Sequence, residues 1–95
     1  MRGVFVERTI NAPNQYTDSL PVEPGSAVAV AVGPLGFAGT VVLERSLDGS
    51  TYFPVESWTD SGVQGSYDVE VYQFIRIGVP SGLFSLGQVY VRLER

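Results

Sequence analysis

The sequence predicts an all-β protein, a single antiparallel β-sandwich of about seven short strands, Ig-like or jelly-roll-like in type. Three observations carry that prediction. Val, Thr, Tyr, Phe and Ile recur in short runs, and these residue types suit a pleated, half-buried surface. Gly or Pro punctuates nearly every gap between the runs. No stretch of ten or more residues escapes Gly and Pro while showing a helical apolar period, so little or no helix is expected.

The strands are expected near 2–9, 26–32, 38–46, 51–58, 66–71, 73–79 and 87–94. In 26–32, Val28, Val30 and Val32 alternate with Ala27, Ala29 and Ala31. Apolar residues on both faces predict a central strand covered on both sides, by the second sheet and by an arm or a neighbouring subunit. In 38–46, Val41 and Leu43 share one face, opposite Thr40, Val42 and Glu44. Asp48-Gly49, between Leu47 and Tyr52-Phe53, marks a hairpin in which Gly49 takes a left-handed backbone. Strand 73–79 turns Ile75, Ile77 and Val79 one way and Arg76 the other. The last strand alternates most cleanly, with Val89, Val91 and Leu93 inward and Gln88, Tyr90, Arg92 and Glu94 outward. Gly33-Pro34-Leu35-Gly36, Asp60-Ser61-Gly62 and Pro80-Ser81-Gly82 read as turns.

Residues 10–25 break this pattern. They hold three Pro and no alternation, which makes an unusually long connector for a compact domain. One reading is a long surface loop. The sharper reading is an extended arm whose Ile10, Tyr16, Leu20 and Val22 bind a neighbouring subunit or the surface the protein attaches to. Three strands also end alike, at Glu7-Arg8, Glu44-Arg45 and Glu94-Arg95. Ordinary charged strand ends that discourage edge pairing account for this. The functional alternative is that Arg8, Arg45 and Arg95 pair across a subunit contact.

Ninety-five residues make one domain, 1–95, with an expected radius of gyration of ~12 Å. There is no Cys and no His, which removes thiolate chemistry, the commonest metal ligand and the commonest general base near neutral pH. Serine catalysis lacks a base, since Lys is absent too. Asp60, Asp68 and Glu70 could in form serve as paired carboxylates or Ca²⁺ ligands. They follow no Asp-x-Asp-x-Asp-Gly spacing, and a solvated acidic edge is the expected reading. No enzyme, cofactor or metal site is expected. The net charge of −4 without a basic run argues against nucleic acid and against an anionic membrane surface. The start, Met1-Arg2-Gly3-Val4-Phe5-Val6-Glu7, lacks the apolar core of a signal peptide, so synthesis and folding in a cytoplasm are expected. Tyr52, Phe53, Trp58, Tyr67, Tyr72 and Phe74 remain. Phe53, Trp58 and Phe74 are expected to fill the core, with the Tyr hydroxyls reaching the surface, a sugar-stacking display of Tyr and Trp being the alternative.

The segment Gly39-Thr40-Val41-Val42-Leu43-Glu44-Arg45-Ser46-Leu47-Asp48-Gly49-Ser50-Thr51-Tyr52 resembles a Gly-Thr-Val-x-Leu-x-Arg-Ser-x-Asp-Gly hairpin of small structural proteins of tailed bacteriophages. Tyr72-Gln73-Phe74-Ile75-Arg76-Ile77-Gly78 and the closing Val89-Tyr90-Val91-Arg92-Leu93 resemble the aromatic-rich strand and the final strand of the same proteins. The likeness covers roughly residues 37–95. It departs at Tyr52-Phe53-Pro54, where those proteins carry a Trp, and Pro54 predicts an edge strand. The resemblance implies a virion component, first of all a capsid decoration or cement protein that binds the shell. Its partners would be the major capsid protein or other virion proteins and further copies of itself. A tail, fibre or head–tail junction component is the alternative within the particle, and a carbohydrate-binding module the alternative outside it.

Overall fold

A computed structural model of the chain describes residues 4–33, 38–59 and 63–95. Its secondary structure is all strand: β1 (Phe5–Ile10), β2 (Gln15–Tyr16), β3 (Leu20–Val22), β4 (Ala27–Val32), β5 (Ala38–Gly39), β6 (Val41–Ser46), β7 (Phe53–Trp58), β8 (Val63–Asp68), β9 (Gln73–Val79), β10 (Phe84–Leu86) and β11 (Val89–Glu94). Two antiparallel sheets pack face to face as a β-sandwich. The first has the order β1-β11-β4-β8. In the second, β9 and β6 are central, β7 is one edge, and β2 and β3 share the other edge along β9. A short ribbon of β5 and β10 lies beside them. The radius of gyration is 12.5 Å, close to that of a compact chain of this length.

The core follows from the alternation. Val28, Val30 and Val32 of β4, with Val89, Val91 and Leu93 of β11, face Val41 and Leu43 of β6 and Ile75, Ile77 and Val79 of β9. Each of these side chains is buried, and burial of one contributes about 1.5–3 kcal/mol against the ordering entropy. The inward residues expected of β6, β9 and β11 are all in this core. β7 is an edge strand, as Pro54 predicts, and its pairing with β6 shifts register between Leu43 and Glu44.

Several expectations need correcting. The strand expected at 66–71 runs instead over Val63–Asp68. Val69 leaves the ladder because its N–H donates to Ser26 O and its carbonyl accepts from Gly25 N, which ties it to the β3–β4 turn. β4 is central within its sheet and its Val face is covered, but among the described residues no arm of the chain lies over the other face, where Ala27 and Ala29 are exposed. The turns at 34–36 and 60–62 lie outside the described residues.

The largest correction concerns residues 10–25. Ile10, Leu20 and Val22 are 0%, 1% and 0% exposed within their own domain, so these three side chains are core and not an arm's contacts. β3 pairs Leu20 with Ile75 and Val22 with Gln73, and β2 pairs Tyr16 with Gly78. Between them the Thr17 N–H donates to Ile77 O, and the Thr17 hydroxyl accepts from Ile77 N–H. The segment is a broken edge strand. Pro21 sits within β3, in the kind of edge position that tolerates a missing donor.

Candidate functional site

Three surfaces of the sandwich bring polar and aromatic groups together. The first is the outer face of the second sheet. Outward residues of β6 and β9 would ordinarily meet water, yet Val42 and Glu44 are buried. The 15–19 stretch and Tyr52 fold over them. Gly78 makes this possible: a Cβ there would stand 2.1 Å from Gln15 O and 2.6 Å from Tyr16 Cα. On this face the Arg76 guanidinium lies between two rings, 3.8 Å from the centroid of Tyr16 and 4.0 Å from that of Tyr52. Both Arg76 Nε and Nη2 meet Glu44 Oε1 at 2.8 Å. Tyr52 and Ser19 hydrogen-bond through their hydroxyls, and Arg8 Nη1 donates to Tyr16 O at 3.0 Å. Burial raises the Tyr16 phenol above its ordinary value, and the Glu44 carboxylate pushes it the same way. Arg76, Arg8 and the Ser19–Tyr52 hydroxyl pair are all engaged by neighbours in the chain, so this cluster clamps the 15–19 stretch and the β6–β7 loop onto the sheet.

The second surface is the outer face of the first sheet. Arg92 stacks on Phe5, 3.9 Å from its ring centroid, and meets Glu7 at 3.3 Å and Glu94 at 3.1 Å. Tyr90 donates its hydroxyl to Glu7. Beside this ridge the small side chains Ala29 and Ala31 leave a shallow depression of about 240 Å³.

The third surface is the end of the sandwich formed by the β6–β7 loop and the β8–β9 turn. The loop is built on two side chains. Ser46 Oγ accepts from the N–H groups of Asp48 and Gly49, at 3.3 and 2.9 Å. Asp48 Oδ1 accepts from Ser50 N–H, Thr51 N–H and the Ser46 hydroxyl, at 2.8, 2.9 and 2.8 Å. Those donors hold the Asp48 carboxyl down at about 2, against 3.8 in an open chain. Gly49 has φ 81°, the left-handed backbone expected of it, and lies over the Phe74 ring. The turn 69–72 is held from within by Gln73, whose Nε2 donates to Val71 O while its Oε1 accepts from the Tyr67 hydroxyl.

What this end presents is apolar around one cation. Leu47 is 64% exposed, Phe53 62% and Val71 50%, and Tyr72 stands half-exposed edge-on to Phe74. Arg45, Leu47, Asp48, Thr51 and Phe53 line a depression of about 260 Å³. Arg45 also lines the neighbouring cleft of about 300 Å³, with Asp68, Glu70 and Val71. Phe53 therefore belongs to the surface and not, as expected, to the core. It stands beside Pro54 on an edge strand whose side chains are mostly open to water. Of the other two expected in the core, Trp58 is partly buried and packs against it, whereas Phe74 is half-buried on the outer side of β9, edge-on to Tyr72; Tyr67 packs against the core as well.

The structure scatters the sequence-derived candidates. Tyr16 serves the Arg76 clamp, Arg8 bonds the backbone beside it, Arg45 stands at the open end, and Arg95 is exposed beyond β11 with its N–H on Val4 O. The three Glu-Arg strand ends do not gather as one cluster: Glu7 and Glu94 meet on Arg92, and Glu44 stands apart on the other sheet. Their carboxylates pair with Arg76 and Arg92 instead. Sequence reading missed the exposed trio Leu47, Phe53 and Val71, although their places beside Asp48-Gly49, before Pro54 and in a turn were visible signals. Asp68 and Glu70 are exposed, and Asp60 lies outside the described residues. Among the described residues no group of three or more His, Cys, Asp or Glu is placed to hold a metal ion. Compared with known proteins, the chain matches no family model, no curated protein and no solved structure.

Proposed function

We propose that this chain is a structural protein of a tailed-bacteriophage virion, without enzymatic activity, that binds the assembled shell as a decoration or cement protein. The observation that carries the reading is the segment Gly39–Tyr52, which resembles the hairpin of such proteins. Here it forms β6 and a loop braced by Ser46 and Asp48, and it carries Leu47 out into solvent. Arg45, Leu47, Phe53 and Val71 supply an apolar surface with a cation at its centre, the composition of a protein-binding patch. Reinforcement of a shell would come from many such contacts repeated around it, each weak and together strong.

Electron microscopy of the source particle tests this. Hundreds of copies spread over the shell are expected. A handful of copies at one vertex or along the tail would replace decoration with a tail, fibre or junction role, and absence from the particle would end the virion reading. One observation supports a second reading. Phe53 and Tyr72 display rings to solvent, as a carbohydrate-binding module would, whereas Trp58 packs against the core. Glycan binding lost on Phe53→Ala but kept on Tyr16→Phe would favour it.

A further inference from the structure

The open end of the sandwich has a property that its separate residues do not show. Arg45 leaves β6 in the second sheet, while Asp68 ends β8 in the first and Glu70 stands in the turn beyond. All three line the same cleft, yet no ion pair joins them. Among the described residues the Arg45 side chain has neither a hydrogen bond nor an ionic partner. Its neighbours on the other side are Leu47 and Phe53, both largely exposed. The surface thus runs from apolar through a cation to a pair of carboxylates.

We infer that this end is a self-association surface, on which a second copy of the chain docks about a two-fold axis with Arg45 of each copy against Asp68 and Glu70 of the other. A two-fold contact brings a patch onto itself, so it needs a patch that carries its own complement. This one does: cation and carboxylates exchange across the axis, and Leu47, Phe53 and Val71 supply apolar area between them. The cleft that keeps Arg45 from Asp68 and Glu70 within one copy leaves room for the partner's side chains. The pairing does not rest on the proposed virion role and concerns the free protein.

The test is the oligomeric state by analytical ultracentrifugation over a wide concentration range. The intact chain is expected to dimerise reversibly. Arg45→Glu alone, and Asp68→Lys with Glu70→Lys, should each weaken the dimer at least about tenfold, since close charge pairs at an interface couple by more than that factor. Mixing those two variants should restore dimers of mixed composition, and the triple variant carrying all three changes should dimerise with itself. All of these positions are exposed, and circular dichroism checks that each variant is folded. A chain that stays monomeric throughout overturns the inference and leaves the patch to another protein. A dimer indifferent to these charges also overturns it and moves the contact to a different face.

Discussion

Arg76 stacks on Tyr16, with its guanidinium carbon 3.8 Å from the ring centroid. One residue belongs to the centre of the second sheet and the other to the segment that closes its edge. The contact is part of what converts a proline-rich stretch into structure. Because Glu44 is 8% exposed, Arg76→Ala would strand a nearly buried carboxylate. The expected loss is about 1–3 kcal/mol, below the value for a fully buried pair because the arginine is partly open to water. Adding Glu44→Gln should recover part of it. Urea titrations of the two single variants and the double would show this as non-additivity, and strict additivity would mean the two side chains do not depend on each other.

Gly78→Ala should unseat β2. The new methyl would overlap Gln15 O and Tyr16 Cα, which are backbone atoms that cannot turn aside. A cost of about 1–3 kcal/mol is expected. Amide exchange locates it, because Asn14 and Thr17 donate to Val79 O and Ile77 O and should lose protection before the β4 and β11 amides do. Equal loss everywhere would mean that β2 does not open on its own.

Deleting residues 10–25 and bridging the gap with a Gly-Ser linker should prevent folding, since it removes Ile10, Leu20 and Val22 from the core. Leu20→Ala alone should cost about 2–5 kcal/mol, as should Ile77→Ala in the centre of the same sheet. Thermal melts that place Leu20→Ala beside the intact chain would return the segment to the status of a loop.

Asp48 titrates at about 2 in the folded loop and at 3.8 in an open chain, so between those values the folded protein holds fewer protons than the unfolded one. The stability from its hydrogen bonds is complete above about pH 4 and is lost as the pH falls toward 2. Asp48→Asn should flatten that part of the acid-unfolding curve. Identical curves for the two proteins would show that the carboxylate's bonds do not hold the loop.

The places where the sequence was legible share one property: a strand whose two faces differ in polarity residue by residue. β9 and β11 place apolar residues at every second position, and their inward residues could be named in advance; β4 carries apolar residues on both faces, so its buried Val face could not be told from its open Ala face. β2 and β3 are two and three residues long, too short for a period of two to register, and their apolar residues are separated by Pro and polar groups. What places Leu20 and Val22 inside is pairing with β9, more than fifty residues away in sequence, and nothing local encodes it. Glu44 misled in the opposite sense. Its alternation marks it as outward, and it is, but a chain segment and Arg76 cover it. At the open end, Arg45 was legible as a candidate because of its charge. Phe53 was assigned to the core, as an aromatic residue next to a hairpin usually is, although Pro54 beside it already marked the strand as an edge.

The pairing of β1 with β11 sets the order in which this protein can be made. β1 bonds to β11 alone, from Phe5 opposite Glu94 to Ile10 opposite Val89, and β4 needs β11 along its other side. While residues 89–94 are still unmade, β1 has no partner strand and β4 has a strand on only one of its sides. The first sheet therefore closes late, in a step that must bring together segments some eighty residues apart. Loop closure over that length, in a protein held by non-local pairs, predicts folding on the millisecond-to-second scale of β-sandwiches. Until then Leu47 and Phe53 are one part of a much larger exposed apolar surface, which makes the incompletely folded chain prone to association with its neighbours.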